Sequence, residues 1–323
     1  MADELDLLRR ANPVPSDDAR YHDRPLDQHA ERRLNGLRHG GRPRRLRRWA
    51  LSVGTAAAVG VTVLTLLLSG SATAPAVAAP RPLRIESGST PVPLGRIAAR
   101  AAADRSQRLR QGTHVQTWSL SMTSGPDARR AVTVPEERVV RWHPDGSATE
   151  LVVATDPRRP GRPVITGADP VPRVVEDGHV LSRRTFPPSW SDAPPLATPP
   201  HDTARLRAYL DELDRTAPLG TSELLDAVGE LLGNWTLGAP ENAALVRLLA
   251  DAKGLRPAGA VTDRLGRPGQ AYVYEDPAHP VRRMLILNPV TGAVLGLEDT
   301  VTKDDPQDGV RSGDVMSYRA WMR

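Results

Sequence analysis

The sequence predicts an α+β protein: a cytoplasmic tail, one transmembrane helix, and an extracytoplasmic domain built as a curved antiparallel sheet with packed helices. Three observations predict it. An uncharged apolar run follows a block of arginines, turn dipeptides separate runs of β-branched residues, and a group of helical patterns interrupts the strands before they resume.

Residues 1–48 are the tail. Asp3, Glu4 and Asp6 precede Arg9 and Arg10, the charge order a helix dipole favours, and Pro13 ends the pattern. Leu5 and Leu8 share a face. Two turns are too few for a stable isolated helix, so these leucines mark either a docking segment for a cytoplasmic protein partner or a fraying end.

Residues 49–70 are the span. No charged side chain occurs from Trp49 to Pro80, and the most apolar part, Trp49 to Leu68, is twenty residues long, enough for a helix to cross ~30 Å of hydrocarbon. Lipid offers no water to backbone groups, which selects a helix; the rival reading is a buried core helix. Arg38, Arg42, Arg44, Arg45, Arg47 and Arg48 precede the run with no acid among them, so the N-terminus is expected on the cytoplasmic side of the cell membrane and the rest outside. The lipid bilayer is thus an expected partner, with Arg44, Arg45, Arg47 and Arg48 at its headgroups. Ala76-Val77-Ala78 fits a signal-peptidase site, and Arg47-Arg48 resembles a twin-arginine signal. The 48-residue lead and the length of the apolar run favour retention over cleavage.

Charge and composition exclude several functions. Residues 1–48 hold twelve arginines and eight acids, which is +4 of the total +5. The outer domain is left nearly neutral, so no extended nucleic-acid surface is expected on it. The absence of cysteine excludes disulfides, thiolate metal sites and a cysteine nucleophile. With 41 Arg against two Lys and abundant Ala and Pro, the chain carries the bias of a GC-rich genome.

Residues 71–93 read as an Ala/Pro/Ser spacer, and 94–323 as the outer domain. A helix is expected over Leu94–Leu109, with Leu94, Ile97 and Ala101 inward. Strands follow: HVQTWSLSM, then two runs around Asp145-Gly146, then RVVE and HVLSRR around Asp177-Gly178, together an antiparallel meander. The Pro-rich stretch from Phe186 to Pro200 reads as a loop. Helices are expected over Thr203–Leu213, Thr221–Leu232 and Asn242–Ala252, before the chain returns to strands, including ILNPVTGAVLGLE with its Asn288-Pro289 turn and Gly292 in a left-handed position.

No GxSxG, HExxH, P-loop or GxGxxG motif occurs, and the eight histidines are scattered. No enzyme activity and no cofactor are expected. His114 and His143 fall in strand patterns, either as neighbours or as polar residues on an exposed face. Asn234-Trp235-Thr236 has the form of a glycosylation sequon but reads as a loop with Trp235 packed. A curved sheet with helices on one side can enclose an apolar groove. Trp118, Leu120, Met122, Trp142, Tyr272, Tyr274, Leu285 and Leu287 are the candidates to line it and to take an apolar ligand or protein; the alternative is that they form the sheet-helix core.

The start DELDLLRRANPVP, the Arg-flanked span, LLDAVGELLGNWTLGAPENAALVRLLADAKGL, VTDRLGRPGQAYVYED and LILNPVTGAVLG together resemble a family of actinobacterial single-pass membrane proteins of uncharacterised function. Its outer domains resemble the half-barrel of the periplasmic lipoprotein carrier and of the sigma-E regulatory protein. The resemblance implies a link to envelope signalling through an extracytoplasmic-function sigma factor and supplies no catalytic residues. The expected function is that of a membrane-anchored, non-enzymatic binding or regulatory protein, with a carrier-like binding protein for lipids or acylated proteins as the alternative. The Pro-rich loop and the helical insertion depart from a plain carrier.

Overall fold

The computed structural model describes residues 80–121, 131–167, 173–188, 197–213 and 219–322. The tail and the expected span lie outside the described residues, and with them Leu5, Leu8, Arg44, Arg45, Arg47 and Arg48; so does Met122. Among the described residues no helix is long and apolar enough to cross a membrane.

The domain formed by the described residues is α+β, and all its strand pairs are antiparallel. Helix α1 (Leu94–Ala103) leads into β1 (Arg110–Ser121), β2 (Val132–Trp142) and β3 (Ala148–Ala154). The short strands β4 (Val164–Thr166) and β5 (Arg173–Val175) form a separate ribbon, and β6 (His179–Phe186) rejoins the main sheet. Three helices follow: α2 (Thr203–Leu213), α3 (Thr221–Leu232) and, beyond the two-residue strand β7 (Trp235–Thr236), α4 (Ala239–Ala250). The chain closes with β8 (Arg256–Thr262), β9 (Pro268–Glu275), β10 (Val281–Leu287), β11 (Val294–Val301) and β12 (Val315–Met322). The sheet order is β6-β3-β2-β1-β12-β11-β10-β9-β8, with β7 also paired to β1. The last strand thus inserts beside the first, joining two meanders that the helices separate in sequence.

All four helices among the described residues pack on one face. Ile97 of α1, Leu206 and Leu210 of α2, Leu224, Leu225, Val228 and Leu231 of α3, and Leu245 and Leu249 of α4 share one core with Val115, Tyr272, Leu285, Leu287, Leu297 and Trp321 of the sheet. Alternation sends Trp118, Met284, Ile286, Tyr318 and Ala320 to the opposite, outer face, where Leu83 covers part of them. Burial along β10 and β11 is nearly continuous because both faces are covered there. Register shifts at Val152/Val153, Pro257/Gly259, Ile286/Leu287 and Asp299/Thr300 bend the strands locally.

Several expectations need correction. The spacer expected over 71–93 ends earlier, because residues 81–92 lie on the domain as a strap. Leu83 N–H donates to Glu298 Oε1 (2.9 Å), Glu86 N–H to Ala260 O (2.9 Å), and the Tyr272 hydroxyl to Val92 O (2.6 Å). Helix α1 stops at Ala103, short of Leu109, because Asp104 turns to accept from Ser106 N–H and its hydroxyl. Helix α4 starts at Ala239, three residues before the expected Asn242, with Pro240 in its first turn where a missing N–H costs nothing. The Asp177-Gly178 turn does not close a hairpin: β5 pairs with β4 and β6 with β3. Asp177 instead accepts from the Thr155 hydroxyl (2.6 Å) and Gly161 N–H (2.7 Å), which ties the turn to the end of β3.

The 288–292 turn forms as expected between β10 and β11. Asn288 Oδ1 accepts from Val290 and Thr291 N–H, and Gly292 has φ 69. A Cβ there would also meet Ala101 at 2.8 Å, so this turn seats α1 as well as joining two strands.

Candidate functional site

The expected groove residues divide between two faces and do not share one surface. Tyr272, Tyr274, Leu285 and Leu287 belong to the core under the helices, and the first, third and fourth are fully buried. Trp118 lies on the opposite face against Tyr318, and Leu120 packs with Val301 and Val310 in a separate small cluster. Trp142 is half-buried at the end of β2. The physical reason is the two-residue period combined with the strand order: β1 pairs with β12, so Trp118 stands beside Tyr318, while Tyr272, beside Leu285, shares the helix face. The space a groove would need is filled by helix leucines.

Polar side chains organise both faces of the covered half. On the outer face Glu298 is fully buried, accepts from Arg264 Nη2, and receives the strap through Leu83 N–H. Arg264 also donates to Arg81 O (2.9 Å) and lies 5.0 Å from the Tyr318 ring centroid. Burial pushes the Glu298 carboxyl above its ordinary value, and the Arg264 guanidinium opposes that rise. Nearby, the Trp118 indole donates to Asp156 Oδ1 (3.2 Å), and the Arg158 side chain donates to the same carboxylate through Nε to Oδ1 and Nη2 to Oδ2. Burial tends to raise the Asp156 carboxyl, but Arg158 and the indole hold it below the usual range. On the helix face Arg283 of β10 bridges Asp226 of α3 (2.6 Å), Asp299 of β11 (3.0 Å) and Ser222 O (2.7 Å).

One cluster carries the residue types of a hydrolase without their order. The Ser222 hydroxyl donates to Asp276 Oδ2 (2.9 Å), and the same oxygen contacts His279 Nδ1 (3.1 Å). A nucleophilic relay needs imidazole between hydroxyl and carboxylate. Here the carboxylate stands between them, so the imidazole does not activate the hydroxyl. Asp276 also accepts from Ala278 N–H, which makes it a turn-former at the β9–β10 connection. The sequence reading did not find this cluster, since its members are 54 residues apart. His114 bonds Glu137 on the neighbouring strand, whereas His143 lies in the β2–β3 turn; they are not partners. Among the described residues no group of His, Asp or Glu is arranged to hold a metal ion.

The other half of the sheet is open on its outer face. On the outer face Val139 of β2, Leu151 and Val153 of β3 and Val180 of β6 form a partly exposed apolar row, with Val180 47 % exposed. His114–Glu137 borders it on one side and the exposed Arg141 and Arg183 on the other. On the helix face, half-buried Glu136 has its carboxyl pushed up by desolvation. Arg319 runs against α3 at Gly229, where a Cβ would lie 2.1 Å from its Nη1.

No family model matches the chain, and no curated protein matches it. Among solved structures it is similar to a chain from the complex structure of Pseudomonas aeruginosa MucA/MucB, at 18% identity over 71% of this chain, with a TM-score of 0.25. The match spans 56% of that chain's length. A likeness of this size decides neither partner nor chemistry.

Proposed function

We propose that the chain is a membrane-anchored, non-enzymatic binding or regulatory protein. Its extracytoplasmic domain takes a protein partner on the open half of the sheet, and its tail contacts a cytoplasmic factor through Leu5 and Leu8. The observation that carries this reading is the asymmetry of the sheet. The β8–β12 half is covered on both faces, whereas β2, β3 and β6 present an apolar row rimmed by charge, the composition of an interaction surface. Residues 49–70 and the arginines before them support the anchor and its orientation. The family resemblance of the quoted segments points to envelope signalling through an extracytoplasmic-function sigma factor. A lipid carrier would need an apolar cavity, and full burial of Tyr272, Leu285 and Leu287 beneath the helices speaks against one at that place.

Reporter fusions after Gly41 and after Leu83 should read cytoplasm and exterior, with the full-length chain in the membrane fraction. Leu5→Asp with Leu8→Asp should abolish co-purification of the cytoplasmic factor without disturbing insertion. A soluble chain beginning at Ala79 would overturn the anchor, and unchanged partners in the double variant would overturn the tail's role.

A further inference from the structure

The sheet has two edges, and they are treated differently. At the β8 edge the strap's Glu86 N–H donates to Ala260 O, and its Ser89 Oγ accepts from Ala260 N–H (3.0 Å). Pro257 interrupts the donors, and the irregular register around Gly259 breaks the row further. At the opposite edge β6, His179 to Phe186, has no proline and has β3 as its one neighbour among the described residues; its register shifts once, at Leu181, and Ser182 to Phe186 pair regularly with Val152 to Ala148. Five of the eight side chains are exposed and none is buried. The regular part of this edge offers about 17 Å of backbone donors and acceptors with no strand partner among the described residues.

The side chains say what would fit it. Arg183 stands opposite Leu151, on the outer face, and Arg184 opposite Glu150, on the helix face. Both are exposed, and neither has an ion-pair partner among the described residues. They are therefore not the inward-pointing charges that disable an edge by forcing a cost of burial. Strand β6 contains no acid. A second copy of the chain pairing antiparallel about the Arg183–Arg184 pair would set each arginine directly opposite an arginine of the other copy, and like charges directly across a ladder repel. A strand with two adjacent acidic residues places one carboxylate over each arginine, one on each face, because consecutive side chains alternate.

We infer that β6 is a strand-addition site for an extended acidic peptide segment of a partner protein, with Arg183 and Arg184 reading an adjacent pair of carboxylates. Backbone pairing supplies the attachment and the two arginines supply register and selectivity. This deepens the binding reading, on which it rests, by naming where the outer partner attaches and with what chemistry.

The test uses the full-length chain in detergent and three short fluorescent peptides. One has a central Glu-Glu flanked by alternating valine and threonine, the second has Lys-Lys instead, and the third keeps Glu-Glu but has prolines for valines. The first should bind and slow amide hydrogen exchange across 179–186; the other two should bind at least about tenfold more weakly. Proline removes the ladder donors without touching the charge. Arg183→Glu with Arg184→Glu should reverse the preference from Glu-Glu to Lys-Lys, which a merely misfolded variant would not do. Equal binding of the proline peptide would reduce the site to bulk charge and overturn the proposal. Slow exchange of 179–186 before any peptide is added would show the edge already occupied and overturn it too. Self-association abolished by the arginine reversals would assign the edge to a second copy instead. Failure of the peptides with loss of the cytoplasmic factor in the tail variant would sink strand addition alone, leaving the regulatory reading in place.

Discussion

Replacing Arg264 by methionine should expose what the strap is anchored to. The substitution removes the guanidinium from Glu298, whose side chain has no solvent exposure, while Leu83 N–H remains as a donor. Left without its cation, the carboxylate either stays charged in a low-dielectric setting or takes up a proton. Protonation limits the penalty. Holding a proton near pH 7 on a group whose ordinary value is 4.5 costs about 3.4 kcal/mol, at ~1.36 kcal/mol per pH unit. That falls within the ~3–5 kcal/mol lost when one member of a buried ion pair is deleted. The sign with pH follows from burial. A carboxyl raised in the folded state stabilises the fold fully below its unfolded value, and that contribution is lost as pH rises through the folded value. The Arg264→Met domain should therefore gain stability as pH falls from about 7 toward about 5, by a margin larger than in the parent. Urea unfolding of residues 80–323, followed by tryptophan fluorescence at both pH values, measures this. Adding Glu298→Gln should remove the extra pH dependence and restore most of the stability, since the amide oxygen can still accept from Leu83. A single variant within about 1 kcal/mol of the parent and insensitive to pH would refute the account, showing Glu298 to be solvated in solution.

Two further outcomes follow from packing. Gly112→Ala places a side chain at φ 113 with its Cβ 2.6 Å from the Val140 carbonyl oxygen; backbone strain and ladder displacement should cost about 2–3 kcal/mol in the same urea assay. Leu285→Ala should cost about 2–5 kcal/mol if Leu285 is core, whereas a groove-lining leucine would lose far less and would leave the fold's midpoint nearly unchanged.

The sequence by itself determined what depends on neighbours along the chain. Helices over Thr203–Leu213 and Thr221–Leu232 were legible because their apolar spacing follows the helical period, and the Asn288–Gly292 turn was legible because Asn and Gly carry its conformation locally. The apolar run at Trp49–Leu68 and the arginines before it are likewise properties of one segment, and the span expected from them lies outside the described residues. What only the tertiary structure decided depends on which strands meet. The face taken by Trp118 relative to Tyr272 follows from the return of β12 to lie beside β1, some 200 residues later, and a one-residue change in that register would exchange the faces. The Asp177-Gly178 turn looked like a hairpin because its dipeptide is the local signal, yet Thr155 and Gly161 hold it elsewhere. The strap looked like a spacer because its Pro and Ser residues follow no period, and its docking depends on Glu298 and Gln270, far along the chain. The open edge at β6 was hidden for the same reason: HVLSRRTF reads as a strand wherever it lies, and a strand becomes an edge only through the neighbour it does not have.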